Sequence, residues 1–276
     1  MKAHFYKPQK LKGISALIWE HQSDIEQKWK ILPEFNINLI FNLGDPWTIH
    51  SPFYKDHLYN PTDNDFWLSG LHTKPIYAKF PFARMFGIQL NTIAAEMVFG
   101  IPCEELKNWS FDGKEILRKD FYYILDHIRE APDFHTRARW LESYIYKKVS
   151  DQGDFHLLQK ISSVLDKLPV ESGKDIAIED LTGYSRMHTF RLFKKWYGTS
   201  PSEAVNFKRF IHALQHMHHS GVSLTEIGLR CGYYDQSHFI RDFKQYAEMV
   251  PSQYLQNKSF VLGQINIDQL DFDMLH

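Results

Sequence analysis

Cysteine is almost missing from this chain: Cys103 and Cys231 are the only two in 276 residues, far apart and outside any CxxC pair. That excludes a thiolate zinc site and a disulfide framework as organising devices. No stretch approaches the ~20 uninterrupted apolar residues that a membrane span requires. The opening Met1-Lys2-Ala3-His4-Phe5-Tyr6-Lys7-Pro8 lacks the apolar core of a secretory signal. Neither charge dominates, since 32 Lys and Arg face 33 Asp and Glu. A uniformly basic nucleic-acid coat is therefore excluded, whereas a local basic patch is not. No P-loop, GxGxxG or ordered Ser-His-Asp set occurs. The expectation is a soluble, cytoplasmic protein that is no enzyme and holds no cofactor.

Aromatic side chains are plentiful: 21 Phe, 14 Tyr and 7 Trp, within a 43% apolar composition. Such a chain can bury a sizeable core, which rules out a mostly disordered protein. Its length allows one large domain or two ordinary ones. In the first ninety residues, short runs rich in β-branched and aromatic residues recur at Ile14 to Trp19, Ile37 to Phe41, Phe66 to Leu71, Ile76 to Phe80 and Met85 to Leu90. Turn chemistry at Gly44-Asp45-Pro46 and Asn60-Pro61-Thr62-Asp63 separates them, so a small β-barrel or sandwich is expected. Pro75 and Pro81 flank the fourth run and push it toward a sheet edge.

Helical spacing takes over from about residue 113. Ile116, Leu117, Phe121, Ile124, Leu125 and Ile128 form one set, Ala138, Leu141, Tyr144 and Ile145 a second, and Leu157 to Leu168 a third. Beyond them lies an internal repeat. Ile178, Gly183 and Tyr184 recur 49 residues later as Ile227, Gly232 and Tyr233. Arg191, Phe193, Lys194, Pro201 and Ser202 recur 50 residues later as Arg241, Phe243, Lys244, Pro251 and Ser252. A near-constant offset over eight positions indicates two copies of one supersecondary unit.

Each copy reads as a short helix, a glycine turn and a polar-capped second helix, which is a helix-turn-helix. Ser185 caps the second helix of copy one, and Asp235 that of copy two. Between them, Ser202 to His219 places Val205, Phe207, Phe210, Ile211, Leu214 and Met217 on one helical face. A rod of ~25 Å could hold two reading helices about one duplex turn apart. Gly183 to His212 carries Arg186, Arg191, Lys194, Lys195, Lys208 and Arg209 against Glu203 alone, an electrostatic footprint for phosphate.

At these residues the sequence resembles the AraC/XylS family of bacterial transcription regulators. The resemblance rests on Gly183-Tyr184-Ser185-Arg186, Arg191-Leu192-Phe193-Lys194 and Gly198-Thr199-Ser200-Pro201 in copy one. In copy two it rests on Leu224-Thr225-Glu226-Ile227, Gly232-Tyr233-Tyr234-Asp235-Gln236-Ser237-His238-Phe239 and Phe243-Lys244. It covers about residues 160–257, and a weaker likeness around Ile31-Leu32-Pro33 and Phe41-Asn42-Leu43-Gly44 extends to the amino-terminal part.

The resemblance implies an α+β chain. A β-rich regulatory or dimerisation domain with trailing helices spans 1–150, a tandem helix-turn-helix spans 155–257 and a tail spans 258–276. It implies double-stranded promoter or operator DNA as partner, and a small-molecule effector or a homodimer as the source of the signal. RNA polymerase is a further partner of such proteins, and no membrane is. The base-facing positions carried over are Arg186, Met187, Phe190 and Arg191, then Gln236, Ser237, His238 and Arg241; Lys194, Lys195 and Lys244 fall to phosphate.

Some positions depart from the family pattern. Glu179 and Gly228 stand where a small alanine is usual, Thr189 where an inward leucine is usual, and Glu248 where a glycine follows the last helix. A glutamate at a crowded helix crossing, Glu179, loses packing, so copy one is expected to dock loosely and copy two to be the more orthodox reader. His212 and His216 share a helical face without a third ligand nearby, and His4, His21, His50, His57 and His72 are scattered, so no metal site is expected. The alternative reading is a small-molecule enzyme or metal-dependent β-barrel domain fused to a DNA-targeting module.

Overall fold

The strand Asn36–Asn42 shows how the amino-terminal half is built. Ile37, Leu39 and Phe41 point one way into a core shared with helices, while Asn36, Asn38 and Ile40 point the other way into a cavity. This alternation is the two-residue period of a strand whose two faces are both covered. The computed structural model describes residues 2–50, 66–117, 120–150, 183–219, 221–259 and 261–267.

Among the described residues ten strands form two antiparallel sheets. They are β1 (Lys2–Tyr6), β2 (Ser15–Ser23), β3 (Gln27–Ile31), β4 (Asn36–Asn42), β5 (Thr48–His50), β6 (Phe66–Ser69), β7 (Ile76–Phe80), β8 (Ala83–Asn91), β9 (Ser110–Asp112) and β10 (Gln264–Asn266). The larger sheet runs β1-β2-β8-β4-β6-β9 and the smaller β10-β3-β7-β5. The two sheets stay open, so among the described residues they make a sandwich and not a closed barrel. Between them pack Trp29, Ile40, Trp47, Trp67, Ile76 and Phe80.

Four of the five expected strand runs match β2, β4, β6 and β8, and the fifth coincides with β7. That run, the fourth in chain order, is not at an edge. β7 lies between β3 and β5, pairing with both. Pro75 and Pro81 sit just outside Ile76–Phe80, so neither removes a ladder hydrogen bond. The region after residue 258, read from the sequence as a tail, supplies β10, which pairs antiparallel with β3.

Helices cover the outer face of the larger sheet. They are α1 (Ile93–Phe99), α2 (Gly113–Leu117), α3 (Phe121–Glu130) and α4 (Phe134–Ser150). α3 and α4 carry the first two expected apolar sets: Phe121, Ile124, Leu125 and Ile128, then Ala138, Leu141 and Ile145, are all buried. The buried Arg137 of α4 pairs with Glu20 of β2 and donates from Nε to the Ile128 carbonyl at 2.6 Å. Glu142 accepts from the Tyr6 hydroxyl at 2.7 Å and from the Lys10 amide at 2.6 Å. The third set, Leu157 to Leu168, lies outside the described residues.

The carboxyl-terminal helices are α5 (Arg186–Tyr197), α6 (Pro201–His219), α7 (Leu224–Arg230), α8 (Gln236–Ala247) and α9 (Pro251–Asn257). α6 has 19 residues, about 28 Å of rod at ~1.5 Å per residue. It buries Phe207, Phe210, Ala213, Leu214 and Met217. Its start carries a capping box: Ser200 Oγ accepts from the Glu203 amide at 3.3 Å, and Glu203 accepts from the Ser200 amide at 2.8 Å. Hydrogen bonds from the Ser200 amide, then from the Thr199 and Ser200 hydroxyls, hold the Glu203 carboxyl down at about 2.

Candidate nucleic-acid interface

Copy two is a complete helix-turn-helix. Ser223 opens α7 by accepting from the Glu226 amide at 3.3 Å. Ile227 packs inward and α7 ends at Cys231. Gly232 takes a left-handed φ of +75°, which a Cβ would strain. The Gly232 and Tyr233 amides donate back to the Leu229 and Gly228 carbonyls, each at 3.0 Å, and close the turn. Asp235 then caps α8 by accepting from the His238 amide at 2.7 Å.

The Tyr233 ring is the inner staple of this unit. It lies 5.1 Å from Phe239, centroid to centroid, and its hydroxyl donates to Asp242 at 2.8 Å. Burial pushes the tyrosine hydroxyl far above its ordinary value and raises the Asp242 carboxyl too. The tyrosine therefore keeps its proton and stays a donor. Gly228 sits over Phe239 where α7 crosses α8; an added Cβ would meet Phe239 Cβ at 3.4 Å, an ordinary contact.

Copy one is described from Gly183 onward, so Ile178 and Glu179 lie outside the described residues. Ser185 caps α5 by accepting from the His188 amide at 3.4 Å. Thr189 is buried at 1% exposure beside Phe190 at 43%, so the helix is not rotated: threonine occupies the inward position and phenylalanine faces out. Met187 also faces out, at 63% exposure.

All eleven carried-over residues stay clear of the core. Arg186, Met187, Phe190, Arg191 and Lys195 are exposed and Lys194 is half-buried on α5; Gln236, Ser237, Arg241 and Lys244 are exposed and His238 is half-buried on α8. Both sets occupy the first two to three turns of a capped helix, with an aromatic core behind: Phe193, Trp196 and Tyr197 in α5, and Phe239, Phe243 and Tyr246 in α8.

Residues 179–257 match a family described as a helix-turn-helix domain, and residues 6–112 match a domain of unknown function (DUF6597). The lactose operon transcription activator of Staphylococcus xylosus is 30% identical over 99 residues, 35% of this chain and 36% of that one. The probable transcription factor PqrA of Proteus vulgaris is 30% identical over 80 residues, 29% of this chain and 66% of that one. This chain thus spans little more than a third of the first relative and just under two thirds of the second. A crystal structure of ToxT from Vibrio cholerae aligns with 87% of this chain and 96% of its own at 13% identity, with a TM-score of 0.47. This chain carries an AraC-type helix-turn-helix domain.

Two corners of the AraC-type domain touch the sandwich, and they are equivalent in the repeat. α5 ends at Gly198 (φ +63°) and α8 at Glu248 (φ +52°), both left-handed, each amide donating to the carbonyl four residues earlier. Gly198 lies so close to the loop after α1 that an added Cβ would stand 2.8 Å from the Cys103 carbonyl oxygen. Glu248 instead reaches Lys74 at 3.0 Å, and its carbonyl accepts from Lys30 Nζ of β3 at 3.5 Å. Burial brings the Lys30 ammonium down to about 8. Copy one also meets carboxylates: Phe190, Arg191, Lys194 and Lys195 share a shallow depression with Glu96, Pro102 and Glu104, and Lys195 lies 3.9 Å from Glu96.

Sequence reasoning missed these partners. Glu248 was visible as a departure from glycine, but Lys30 and Lys74 become its neighbours only through pairing across more than 170 residues. A second feature escaped as well, a cavity of about 190 Å³ between the two sheets. Trp47 Nε1 and His72 Nδ1 are buried there without a hydrogen-bond partner among the described residues. Burial brings His72 down to about 4, so the ring is neutral. Among the described residues no three His, Cys, Asp or Glu side chains converge as a metal site, and no helix is long and apolar enough to cross a membrane.

Proposed function

We propose that this chain is a sequence-specific DNA-binding regulator of transcription, acting in the cytoplasm and without catalytic activity of its own. The span 155–257 reads duplex DNA, 1–150 receives the signal, and part of 258–276 ties the two together through β10. One observation carries the reading: α5 and α8 present Arg191 and Arg241, equivalent in the repeat, on exposed faces of helices whose amino ends are capped by Ser185 and Asp235. Arg can bond guanine bidentately and Gln236 adenine, each worth ~1–3 kcal/mol of discrimination. Lys194, Lys195 and Lys244 supply sequence-independent attraction that weakens with salt.

The fold supports a route for the signal. In the smaller sheet, Trp29, Ile31, Ile76 and Ala78 line the cavity, while Leu32 and Tyr77 join the core that holds Phe207, Phe210 and Tyr246. A change inside the sandwich is thus one sheet away from the helices behind the reading surface. A ligand or a second subunit shifts DNA binding by as much as its affinity differs between the two arrangements. The relatives named above carry the names of regulators, which favours this reading over a fused enzyme.

The test uses duplexes selected from a random pool by the purified chain. Arg241→Ala should lose ~1–3 kcal/mol on the selected site and relax one base position, while Lys195→Ala should weaken selected and random duplex alike. Equal losses for Arg241→Ala on both duplexes would remove the reader assignment.

A further inference from the structure

The cavity between the sheets has a chemistry that narrows its ligand. Among the described residues that line it there is no Lys or Arg, but there are two carboxylates. Glu20 is already paired with Arg137. Glu34 is not: among the described residues no cation stands within ion-pairing distance of it. It accepts from Gln89 Nε2 at 2.6 Å and from the side-chain amide of Asn38. Two amide donors aimed at one carboxyl are suited to its ionised form, yet burial raises the proton affinity of the Glu34 carboxyl. The missing component is a positive charge.

The rest of the lining fits the body of such a ligand. Trp19, Trp29, Trp47 and Trp67 all border the space, with Trp47 and Trp67 edge to face at 5.2 Å. Tryptophan faces attract an organic cation, more strongly when water is excluded. Among the described residues Trp47 Nε1 is a donor without an acceptor. His72 is held by Ser69 through Nε2 at 3.0 Å, and its Nδ1 has no partner among the described residues. A guest therefore meets one carboxylate that no described cation pairs, a set of indoles, one N–H and one imidazole nitrogen. A volume of about 190 Å³ slightly exceeds the ~150 Å³ engineered cavity that takes benzene, which sets the size at one ring with a short arm.

We infer that this cavity binds a small organic amine with an aromatic or alicyclic body and a hydroxyl or carbonyl oxygen, its ammonium at Glu34 and its oxygen at Trp47 Nε1. A carboxylic acid of the same shape is disfavoured, since it would bring a second acidic group to Glu34 and no Lys or Arg among the described lining residues would receive it. That the amine is the regulatory signal rests on the reading under Proposed function, but binding itself involves no DNA.

Three probes share one ring and differ in charge: tyramine, tyrosol and 4-hydroxyphenylacetate. Each is titrated into the full chain near pH 7.5, by calorimetry and by quenching of tryptophan fluorescence. Tyramine should bind at least ten-fold more tightly than the other two. Glu34→Gln, which keeps shape and removes charge, should bring tyramine to the level of tyrosol. Trp47→Phe should weaken tyramine and tyrosol by similar factors. Circular dichroism confirms that each variant is folded. Equal or tighter binding of 4-hydroxyphenylacetate, tyramine affinity unchanged in Glu34→Gln, or no binding of any probe would overturn the proposal. A chain that binds tyramine but no duplex would lose the regulator reading and keep this one, and the converse result would do the opposite.

Discussion

The two copies of the repeat have the same outline and are stabilised differently. Copy two has an internal core that extends to Leu32, Leu71 and Tyr77 of the amino-terminal half. Tyr233 is 3% exposed and bonded to Asp242, and Phe239 sits in a core made with α6 and α9. In copy one the equivalent Tyr184 is 48% exposed beside the His188 ring, Thr189 stands in place of Phe239, and Leu192 in place of Asp242. Copy one, described from Gly183 onward, shares its core with the amino-terminal half, because Phe193, Trp196 and Tyr197 belong to the core that also holds Ile93, Ala94 and Met97 of α1. A duplicated unit can thus keep one outline while its two copies pack against different parts of the amino-terminal half.

Core truncation gives the largest expected contrast. Phe239→Ala removes a fully buried ring from copy two and should cost ~3–5 kcal/mol, read as a lower urea midpoint. Thr189→Ala at the equivalent position should cost ~1 kcal/mol, because few atoms are lost. Equal losses would mean that copy one has an internal core of its own.

The helix ends give the next contrast. Gly198→Ala forces a Cβ into a left-handed residue and against the Cys103 carbonyl, and should lower stability by ~1–2 kcal/mol. Glu248→Gly relieves the same conformation but gives up a half-exposed ion pair worth ~0–1 kcal/mol. Its melting temperature should hold or rise. A fall would show that the Lys74 and Lys30 contacts outweigh backbone strain.

Charge around copy one comes third. Glu96→Gln combined with Glu104→Gln frees Arg191, Lys194 and Lys195 from neighbouring carboxylates and should tighten duplex binding by roughly three- to ten-fold at low salt, fading as salt screens the attraction. Titration of a fluorescent duplex checks this, and unchanged affinity would place the copy-one cations away from phosphate. The smallest effect is Gly228→Ala in copy two. The added methyl finds ordinary contact distance to Phe239, so the gain should be ~0.5–1 kcal/mol of stability from backbone entropy.

Legibility followed the range of the interactions. The caps Ser185 and Asp235, the glycine turns and the apolar face of α6 are local, and the sequence displays them. β4 and β8 were legible because both faces are buried and their runs are almost wholly apolar. β3 was not, because Lys28 and Lys30 interrupt it, and only its pairing with β7 and β10 explains a lysine at 4% exposure. β10 has three residues and gains meaning from a partner more than 230 positions away. For the same reason the basic character of α5 was plain, whereas the carboxylates of Glu96 and Glu104 opposite it were not. The cavity draws its lining from both sheets, and the pattern of a single strand cannot announce that Glu34 and four indoles border one space.

The account stands on both units reading duplex DNA together. Hydroxyl-radical footprinting of the chain on a selected duplex tests that most directly. Two protected segments centred about one helical turn apart are expected, with Arg191→Ala weakening one and Arg241→Ala the other. A single protected segment sensitive to Arg241 alone would contradict it, leaving α5 as a docking element only.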